Sequence, residues 1–189
     1  MIVLPPHLKQ NENYKFNKNM KPPLKQGNPN DFQTPPEALK PLLPYLPKDW
    51  TIWECACGKM YLADEFKRLG YDVEVSDTLY GEEQDFMTYK PAQWDCIVTN
   101  PPFSYKQEFL QRAYELGTPF AFLLPLTTFE TAKRQELFDR YGVEVIFFDK
   151  RINFETPNKV EKSSSWFATA WFTYGLNIGK QLSFAKLEL

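Results

Sequence analysis

The chain has 189 residues, of which 43% are hydrophobic and 16% aromatic, and its formal net charge is −2. This length is enough to bury the core of one domain, and the near-zero charge excludes a protein that binds nucleic acid through a global positive field. No stretch approaches the roughly 20 apolar residues of a membrane span, and the opening MIVLPPHLKQ lacks the basic start of a signal peptide, so we expect a cytoplasmic protein.

The first 30 residues differ in composition from the rest. They are rich in Asn, Lys and Pro and carry five lysines against one glutamate. Little apolar periodicity is present, which is typical of a solvated segment. We expect a flexible basic arm over 1–30 and a single catalytic domain over 31–189. Contact between the arm and nucleic acid is the alternative to a merely solvated arm.

Alternating helical and strand patterns follow. Three capping boxes predict helix starts, at Thr34 with Glu37, at Ser104 with Gln107, and at Thr127 with Glu130. The first predicts a short helix before Pro44, and the other two begin helices that end near 116 and 141. A further helix is predicted over 61–70, and strands over 50–56, 71–77, 96–99, 120–125, 143–149 and 165–175.

The strands are nearly continuous in apolar residues and are separated by helices. This pattern indicates an α/β fold with a mostly parallel, doubly wound sheet covered on both faces. No helical pattern joins the last two predicted strands, so we expect the last strand to be antiparallel and to lie at or near an edge. The odd set of Cys55, Cys57 and Cys96 lies in apolar contexts, which favours small buried side chains over disulfides or metal ligands.

Three strand ends carry polar residues of interest. Glu54 stands near the end of one strand, Asp77 ends the next, and Asn100 follows the strand at 96–99. In sheets of this kind, ligands bind at the carboxyl ends of strands, near the point where strand order reverses. Gly58 after the first of these strands and Asp77 nineteen positions later are compatible with a nucleoside site, although a glycine after a strand is more often a plain turn and acids commonly end strands at the surface. A dinucleotide is disfavoured, since the chain has no G-x-G-x-x-G run.

The tetrapeptide Asn100-Pro101-Pro102-Phe103 after an apolar strand resembles the catalytic motif of the adenine-N6 DNA methyltransferases. DFQTPPEAL, WECACGKMYL, Asp77 and DFMTY resemble the cofactor motifs of that family, in the same order, and the compactness is similar to short phage and prophage members. The resemblance implies a Rossmann-like S-adenosylmethionine-dependent methyltransferase fold. It also implies S-adenosyl-L-methionine as the cofactor, held by Phe32, Thr34, Glu54, Cys55, Ala56, Gly58, Asp77, Asp85, Phe86 and Asn100.

The chemistry of such a reaction explains the residue types. Adenine's exocyclic amine is a weak nucleophile because its lone pair is delocalised into the ring. The side-chain oxygen of Asn100 and the carbonyl of Pro101 are two acceptors for the amine hydrogens. The fixed φ of proline and the extended conformation imposed before Pro102 hold the Pro101 carbonyl in place. Phe103 is placed to stack on a base that has left the helix. This chemistry requires neither a general base nor a metal.

Several alternatives stay open. Cytosine-C5 methylation needs a thiol after proline, and no cysteine here follows one, whereas cytosine-N4 enzymes usually carry serine or aspartate in place of Asn100. RNA adenine and protein glutamine are further substrates for the same motif. The family usually has a second glycine where this chain has Met60, which leaves open a catalytically inactive binding module with a methyltransferase fold.

Few residues are available for a domain that recognises the target sequence. Thirteen residues separate Phe86 from Asn100, and fourteen follow Gly175, so we expect no separate recognition domain. DNA contacts would come from the basic arm, from a protein partner, or from a loop containing Lys150, Arg151, Lys159 and Lys162. We therefore expect a short or relaxed recognition site dominated by phosphate contacts.

Overall fold

A computed structural model describes residues 33–155 and 167–187 of the chain. This part contains three α-helices, α1 (Tyr61–Arg68), α2 (Lys106–Leu116) and α3 (Ala132–Tyr141). Its seven strands are β1 (Thr51–Glu54), β2 (Asp72–Val75), β3 (Cys96–Thr99), β4 (Phe120–Pro125), β5 (Glu144–Phe148), β6 (Thr169–Tyr174) and β7 (Leu182–Ala185). Short 3₁₀ turns span Pro36–Leu39, Leu43–Tyr45, Thr78–Tyr80, Glu82–Gln84, Phe103–Tyr105 and Leu126–Glu130.

The strands form one sheet in the order β2-β1-β3-β4-β6-β5-β7. β1 pairs in parallel with β2 and β3, β3 with β4, and β5 with β7, while β6 is antiparallel to both β4 and β5. The chain moves outward from β1 to β2 and then crosses back to β3 on the other side of β1. Strand order therefore reverses between β1 and β3, which is where ligands bind in folds of this type.

The helices lie on both faces of the sheet. Crossovers between parallel strands are right-handed, so α1, which leads outward to β2, lies on one face, and α2 and α3, which lead the other way, lie on the opposite face. α2 packs against α3, and α1 packs against the 3₁₀ turn at Pro36–Leu39. The predicted α/β, mostly parallel, doubly wound sheet is confirmed.

The strand predicted over 165–175 is antiparallel, as expected, but it does not lie at or near an edge of the sheet. β6 is antiparallel, but it lies inside the sheet between β4 and β5, and all but its last residue are buried. The edge is formed by β7, which sequence patterns did not predict. Its four residues alternate between exposed and half-buried positions, and a segment this short, with its larger apolar side chains exposed, gives no clear strand pattern.

None of the three predicted capping boxes forms. The first turn is 3₁₀ and has Pro35 as its N-cap, α2 begins after Tyr105, and α3 begins after Thr131, in each case with no side-chain cap hydrogen bond. At the first position the two prolines are the reason, because a residue before proline is kept out of the helical region. At the other two, a 3₁₀ turn occupies the predicted first turn and moves the α-helix start downstream.

The core is rich in aromatic side chains, and the indole N–H groups of its two largest, Trp53 and Trp171, are both hydrogen-bonded. The buried indoles of Trp53 and Trp171 donate to Ser76 Oγ at 2.9 Å and to the Ala38 carbonyl at 2.8 Å, which satisfies the polar atom that each tryptophan buries. Trp171 thereby attaches the first 3₁₀ turn to the sheet. No helix in the described part of the chain is long and apolar enough to cross a membrane.

Candidate active site

Two adjoining clefts open at the carboxyl ends of β1, β2 and β3. The first cleft has a volume of about 260 Å³ and the second about 440 Å³. Both are lined by Ala56, Asp77, Thr78, Pro102 and Tyr105. The clefts therefore adjoin at the point where strand order reverses. The first cleft is also lined by Gln33, Thr34, Glu54, Cys57, Gly58, Tyr61, Leu62, Leu79 and Asn100, and the second by Cys55, Asp85, Phe86, Met87, Glu108 and Phe109.

The structure brings together every predicted cofactor residue that it describes. These residues come from β1, from the loop after it, and from the ends of β2 and β3. They meet because the carboxyl ends of parallel strands lie on the same side of the sheet. The nine that line the clefts are Thr34, Glu54, Cys55, Ala56, Gly58, Asp77, Asp85, Phe86 and Asn100. Phe32, Lys159, Lys162 and the predicted arm over 1–30 lie outside the described residues.

Glu54 ends β1 and is a buried acid at the base of the first cleft. It is 2% exposed, and burial raises the pKa of its carboxyl from 4.5 to about 7. The backbone N–H of Ala56, which donates to Glu54 Oε1 at 3.3 Å, works against this shift, while the nearby charge of Asp77 adds to it. A carboxyl with this pKa changes charge near neutral pH, which is typical of a functional acid rather than a structural one.

Asp77 connects the two neighbouring strand exits. One carboxylate oxygen accepts the N–H of Gly58 at 2.9 Å, and the other accepts the N–H of Leu79 at 2.9 Å. The first bond holds the loop after β1 against the exit of β2, and the second caps the 3₁₀ turn at Thr78–Tyr80. Each oxygen keeps a further lone pair, so the carboxylate still has acceptor capacity toward the clefts.

Gln33 and Tyr61 line the first cleft and were not predicted from the sequence. The Gln33 side chain accepts the N–H of Lys59 at 3.0 Å and covers Gly58, where an added Cβ would come within 3.0 Å of it. The Tyr61 hydroxyl donates to Glu155 at 2.8 Å, and Gln33 and Glu155 also pair through their backbones. These contacts join segments far apart in sequence, so no local pattern reveals them.

Thr34 offers an unused polar atom to the first cleft. It is 3% exposed, and among the described residues its hydroxyl has no hydrogen-bond partner. Leaving a buried hydroxyl unpaired costs about 1–3 kcal/mol. A polar ligand group in the first cleft would supply the missing partner.

Met60 adopts a left-handed backbone conformation, which glycine enters most easily. Its φ is 71° and its ψ is 8°, in the left-handed region, where it precedes α1. Its half-buried side chain is not among the residues that line either cleft. The methionine therefore costs backbone strain without filling the space in which a ligand would bind, and the sequence-based reason for an inactive module is weakened.

We expect Met60→Gly to be more stable than Met60→Ala by about 1 kcal/mol, because only glycine enters the left-handed region without a Cβ penalty. Both variants lose the same side chain, so their difference isolates the strain. Urea denaturation followed by circular dichroism measures it. Equal midpoints for the two variants would mean that residue 60 is not left-handed in solution.

The predicted catalytic tetrad is divided between the cleft and the core. Asn100 and Pro102 line the first cleft, and the Pro102 carbonyl accepts the N–H of Tyr105 at 2.9 Å. Pro101 is buried. The Oδ1 atom of Asn100 is shielded from solvent, so contact with a substrate amine requires its amide group to turn toward the cleft.

Phe103 lies in the core, and its placement differs from the stacking position expected from the sequence. It is 9% exposed and packs edge-on against Phe154 and Phe167, with ring centroids 6.4 and 5.4 Å away. The ring does not line either cleft. The aromatic residue of this turn that lines the clefts is Tyr105, two positions later. The sequence contains no signal that favours one ring over the other, because the choice depends on the 3₁₀ turn at Phe103–Tyr105.

The second cleft combines an apolar wall with three carboxylates, those of Asp77, Asp85 and Glu108. Phe86 is 1% exposed and stacks on Phe109 at 4.7 Å. Asp85 accepts the N–H of Met87 through Oδ1 at 2.9 Å, and Glu108 lines the cleft from α2. A planar apolar group with hydrogen-bond donors at its rim is the ligand that this surface suits.

The two described residues of the predicted nucleic-acid set lie after β5. Lys150 and Arg151 are both exposed. The segment then runs from the carboxyl end of β5 through the buried Ile152 to Glu155, which meets Gln33 and Tyr61 beside the first cleft. Lys150 and Arg151 therefore follow the carboxyl end of β5, on the side of the sheet where the clefts open.

The three cysteines are free and buried, as predicted from the sequence. Burial raises the pKa of all three thiols, that of Cys57 to about 12, with the charge of Glu54 contributing at Cys55 and Cys57. They are therefore neutral thiols at physiological pH rather than nucleophiles. Within residues 33–155 and 167–187, no three His, Cys, Asp or Glu side chains are grouped so as to hold a metal ion.

No protein-family model matches this sequence, and no curated protein matches it. Among solved structures, the chain is similar to a Listeria monocytogenes protein provisionally described as a class I S-adenosylmethionine-dependent methyltransferase. The TM-score is 0.55 at 16% identity, over 84% of this chain and 66% of that one. This likeness confirms the predicted Rossmann-like fold, that of class I methyltransferases.

Two weaker likenesses to solved structures were also found. One is to the tRNA (m1A58) methyltransferase TrmI of Aquifex aeolicus, with a TM-score of 0.41 and 14% identity over 74% of this chain and 67% of that one. The other is to a predicted O-methyltransferase of Agrobacterium tumefaciens, with a TM-score of 0.32 and 13% identity over 72% and 65%. The chain thus spans about two thirds of the length of each of these three proteins.

Proposed function

We propose that this chain is an S-adenosylmethionine-dependent methyltransferase that transfers a methyl group to N6 of adenine in DNA. The observation that supports this most directly is the convergence of Glu54, Asp77 and Asn100, from three separate strand ends, on the first cleft. The fold and the position of that cleft at the reversal of strand order are consistent with a nucleoside-containing cofactor.

The residues present fit S-adenosylmethionine. Glu54 is an acid available to a methionine ammonium, and the unpaired Thr34 hydroxyl is available to the carboxylate. Asp77 has acceptor capacity for the two ribose hydroxyls, and the Phe86 wall with Asp85 suits a purine and its amine. We therefore assign the first cleft to the methionine and ribose parts and the second cleft to the purine.

When bound, the cofactor supplies a methyl group on a sulfonium, which is a strong electrophile. The residues of this chain position and polarise the amine that receives it. The Asn100 Oδ1 atom accepts one amine hydrogen. The Pro101 carbonyl is the second acceptor in this proposal, as the motif implies, while the Pro102 carbonyl accepts the N–H of Tyr105. Two fixed acceptors localise the nitrogen lone pair, and most of the rate enhancement comes from alignment.

DNA as the substrate is supported by the Asn-Pro-Pro-Phe motif and by the exposed Lys150 and Arg151 on the cleft edge of the sheet. Basic side chains beside an active site attract phosphates, and such contacts position the nucleic acid without reading its sequence. Sequence readout in this proposal comes from nearby loops or from a protein partner.

We expect S-adenosylmethionine to bind with release of about half a proton per site at pH 7, since a carboxyl whose pKa is near 7 is half protonated there and a bound ammonium favours its charged form. The affinity should rise between pH 6 and pH 8 for the same reason. Calorimetric titration in two buffers with different ionisation enthalpies measures the release. Glu54→Gln should abolish both effects, and no heat at millimolar cofactor would refute the cofactor assignment.

Transfer of labelled methyl groups identifies the substrate. Duplex DNA, single-stranded DNA, RNA and a glutamine-containing protein are each incubated with labelled cofactor, and the products are digested and separated. The proposal requires N6-methyladenine from DNA. If RNA adenine or protein glutamine were labelled and DNA were not, that substrate would take the place of DNA in the proposal. Cofactor binding without any methyl transfer would indicate an inactive module.

A further inference from the structure

Tyr105 is an exposed aromatic residue at the junction of the two clefts. It is 56% exposed and lines both clefts together with Pro102. Within the described residues its ring stacks on no other ring and its hydroxyl forms no hydrogen bond. A more than half-exposed aromatic ring with no ring partner, beside a cleft, is typical of a ligand-binding surface.

The backbone beneath Tyr105 is well held. Its N–H donates to the Pro102 carbonyl at 2.9 Å, and the residue both ends the 3₁₀ turn Phe103–Tyr105 and caps α2. Behind it, the buried Phe103 fixes the turn against the core. The side chain therefore extends from a rigid base, and the rotation available to it is mainly about its own side-chain bonds.

We propose that Tyr105 covers the adenosine portion of the bound cofactor, lying across the clefts from Asp77 and Thr78. This deepens the proposed function and rests on it for the identity of the ligand. The ring lines both the cleft that contains Asp77 and the cleft that contains Asp85 and Phe86. Those are the positions of the ribose and the purine in the assignment above, so one side chain reaches both parts of a nucleoside.

The position of the ring favours the cofactor over the substrate base as its partner. Tyr105 lines the first cleft together with Asn100, and it lines the second cleft, assigned above to the purine, without Asn100. A base undergoing methylation must contact Asn100 and would meet the ring only in the first cleft, whereas the assigned cofactor would meet it in both. An aromatic face over a purine excludes water from it and adds stacking energy, which depends on the ring and not on the hydroxyl.

The test compares Tyr105→Ala, Tyr105→Phe and the control Phe184→Ala, a ring that is 82% exposed on β7 at the distant sheet edge. Adenosine and S-adenosylmethionine are titrated separately by calorimetry. We expect Tyr105→Ala to weaken both ligands about tenfold, equivalent to about 1.4 kcal/mol, with an unchanged melting temperature. Tyr105→Phe and Phe184→Ala should bind both ligands as the wild type does.

The outcomes separate this proposal from the methyltransferase assignment. Unchanged adenosine affinity in Tyr105→Ala would overturn the role of Tyr105, as would a rise in the KM for DNA with no change in cofactor affinity. If the protein transferred no methyl group but bound adenosine in a way that depends on Tyr105, the proposed role of Tyr105 would be upheld and the proposed function would be refuted. A wild type that binds neither ligand would overturn both.

Discussion

Asn100→Ala is expected to lower the rate of methyl transfer about 100- to 1,000-fold, the loss that follows removal of one pre-positioned polar group from an active site. The amide oxygen is an acceptor that acts on the reacting amine. Among the described residues after β3 that line the first cleft, which are Asn100, Pro102 and Tyr105, only Asn100 has a side-chain carbonyl oxygen. The loss should appear mainly in kcat, because cofactor binding is shared among many other residues of the two clefts. Single-turnover transfer of labelled methyl to DNA measures the chemical step.

Asn177→Gly is a matched control for this variant. It removes an asparagine amide beyond the opposite end of the sheet, at a residue whose φ of 56° glycine adopts easily. We expect its transfer rate to stay within twofold of the wild type. If Asn100→Ala transferred methyl groups as fast as this control, the assignment of Asn100 to the chemistry would be wrong.

Glu54→Gln is expected to raise the free energy of unfolding at pH 8 by about 3 kcal/mol, because burial holds the pKa of this carboxyl at about 7 when folded against 4.5 when unfolded. A raised folded pKa means that the folded chain binds the proton more tightly. The resulting stability is fully present below pH 4.5 and is lost as the pH rises through 7. Glutamine keeps the neutral shape at every pH and avoids the buried charge.

Thermal unfolding at pH 5 and pH 8 measures this effect. For a domain of this size the gain at pH 8 corresponds to about 6–12 °C in Tm, and at pH 5 it should shrink to a small fraction of that. Glu74→Gln on the adjacent strand is the control, since its side chain is exposed and surface changes are usually within about 0.5 kcal/mol. A Tm difference independent of pH would show that folding does not raise the pKa of Glu54.

The Glu54→Gln variant also addresses why a buried carboxylate is present at this position. A buried carboxylate that destabilises the fold at neutral pH has no structural purpose, and residues of this kind concentrate where a ligand uses their charge. If the Glu54→Gln protein is more stable and binds S-adenosylmethionine less tightly, stability and cofactor binding are in direct opposition at this position.

Much of the fold and the site was predictable because the signals are local. Apolar runs separated by helical patterns predicted six of the strands and the parallel sheet, and residues at the ends of parallel strands necessarily share an edge. Glu54, Asp77 and Asn100 could therefore be placed together from their positions in the chain alone. The helix starts could not be predicted, because whether a capping side chain is used depends on the turn before it, and here prolines and 3₁₀ turns prevent all three caps.

The tertiary structure decided what depends on contacts between distant segments. It placed β6 inside the sheet and β7 at the edge, and it joined Gln33 to Glu155 beside the first cleft. It also buried Phe103 against Phe154 and Phe167, which left Tyr105 in the cleft. The sequence by itself determined which residue types stand at the strand ends. Which side chains face the ligand was decided only by packing, because burial of an aromatic ring depends on partners that lie far away along the chain.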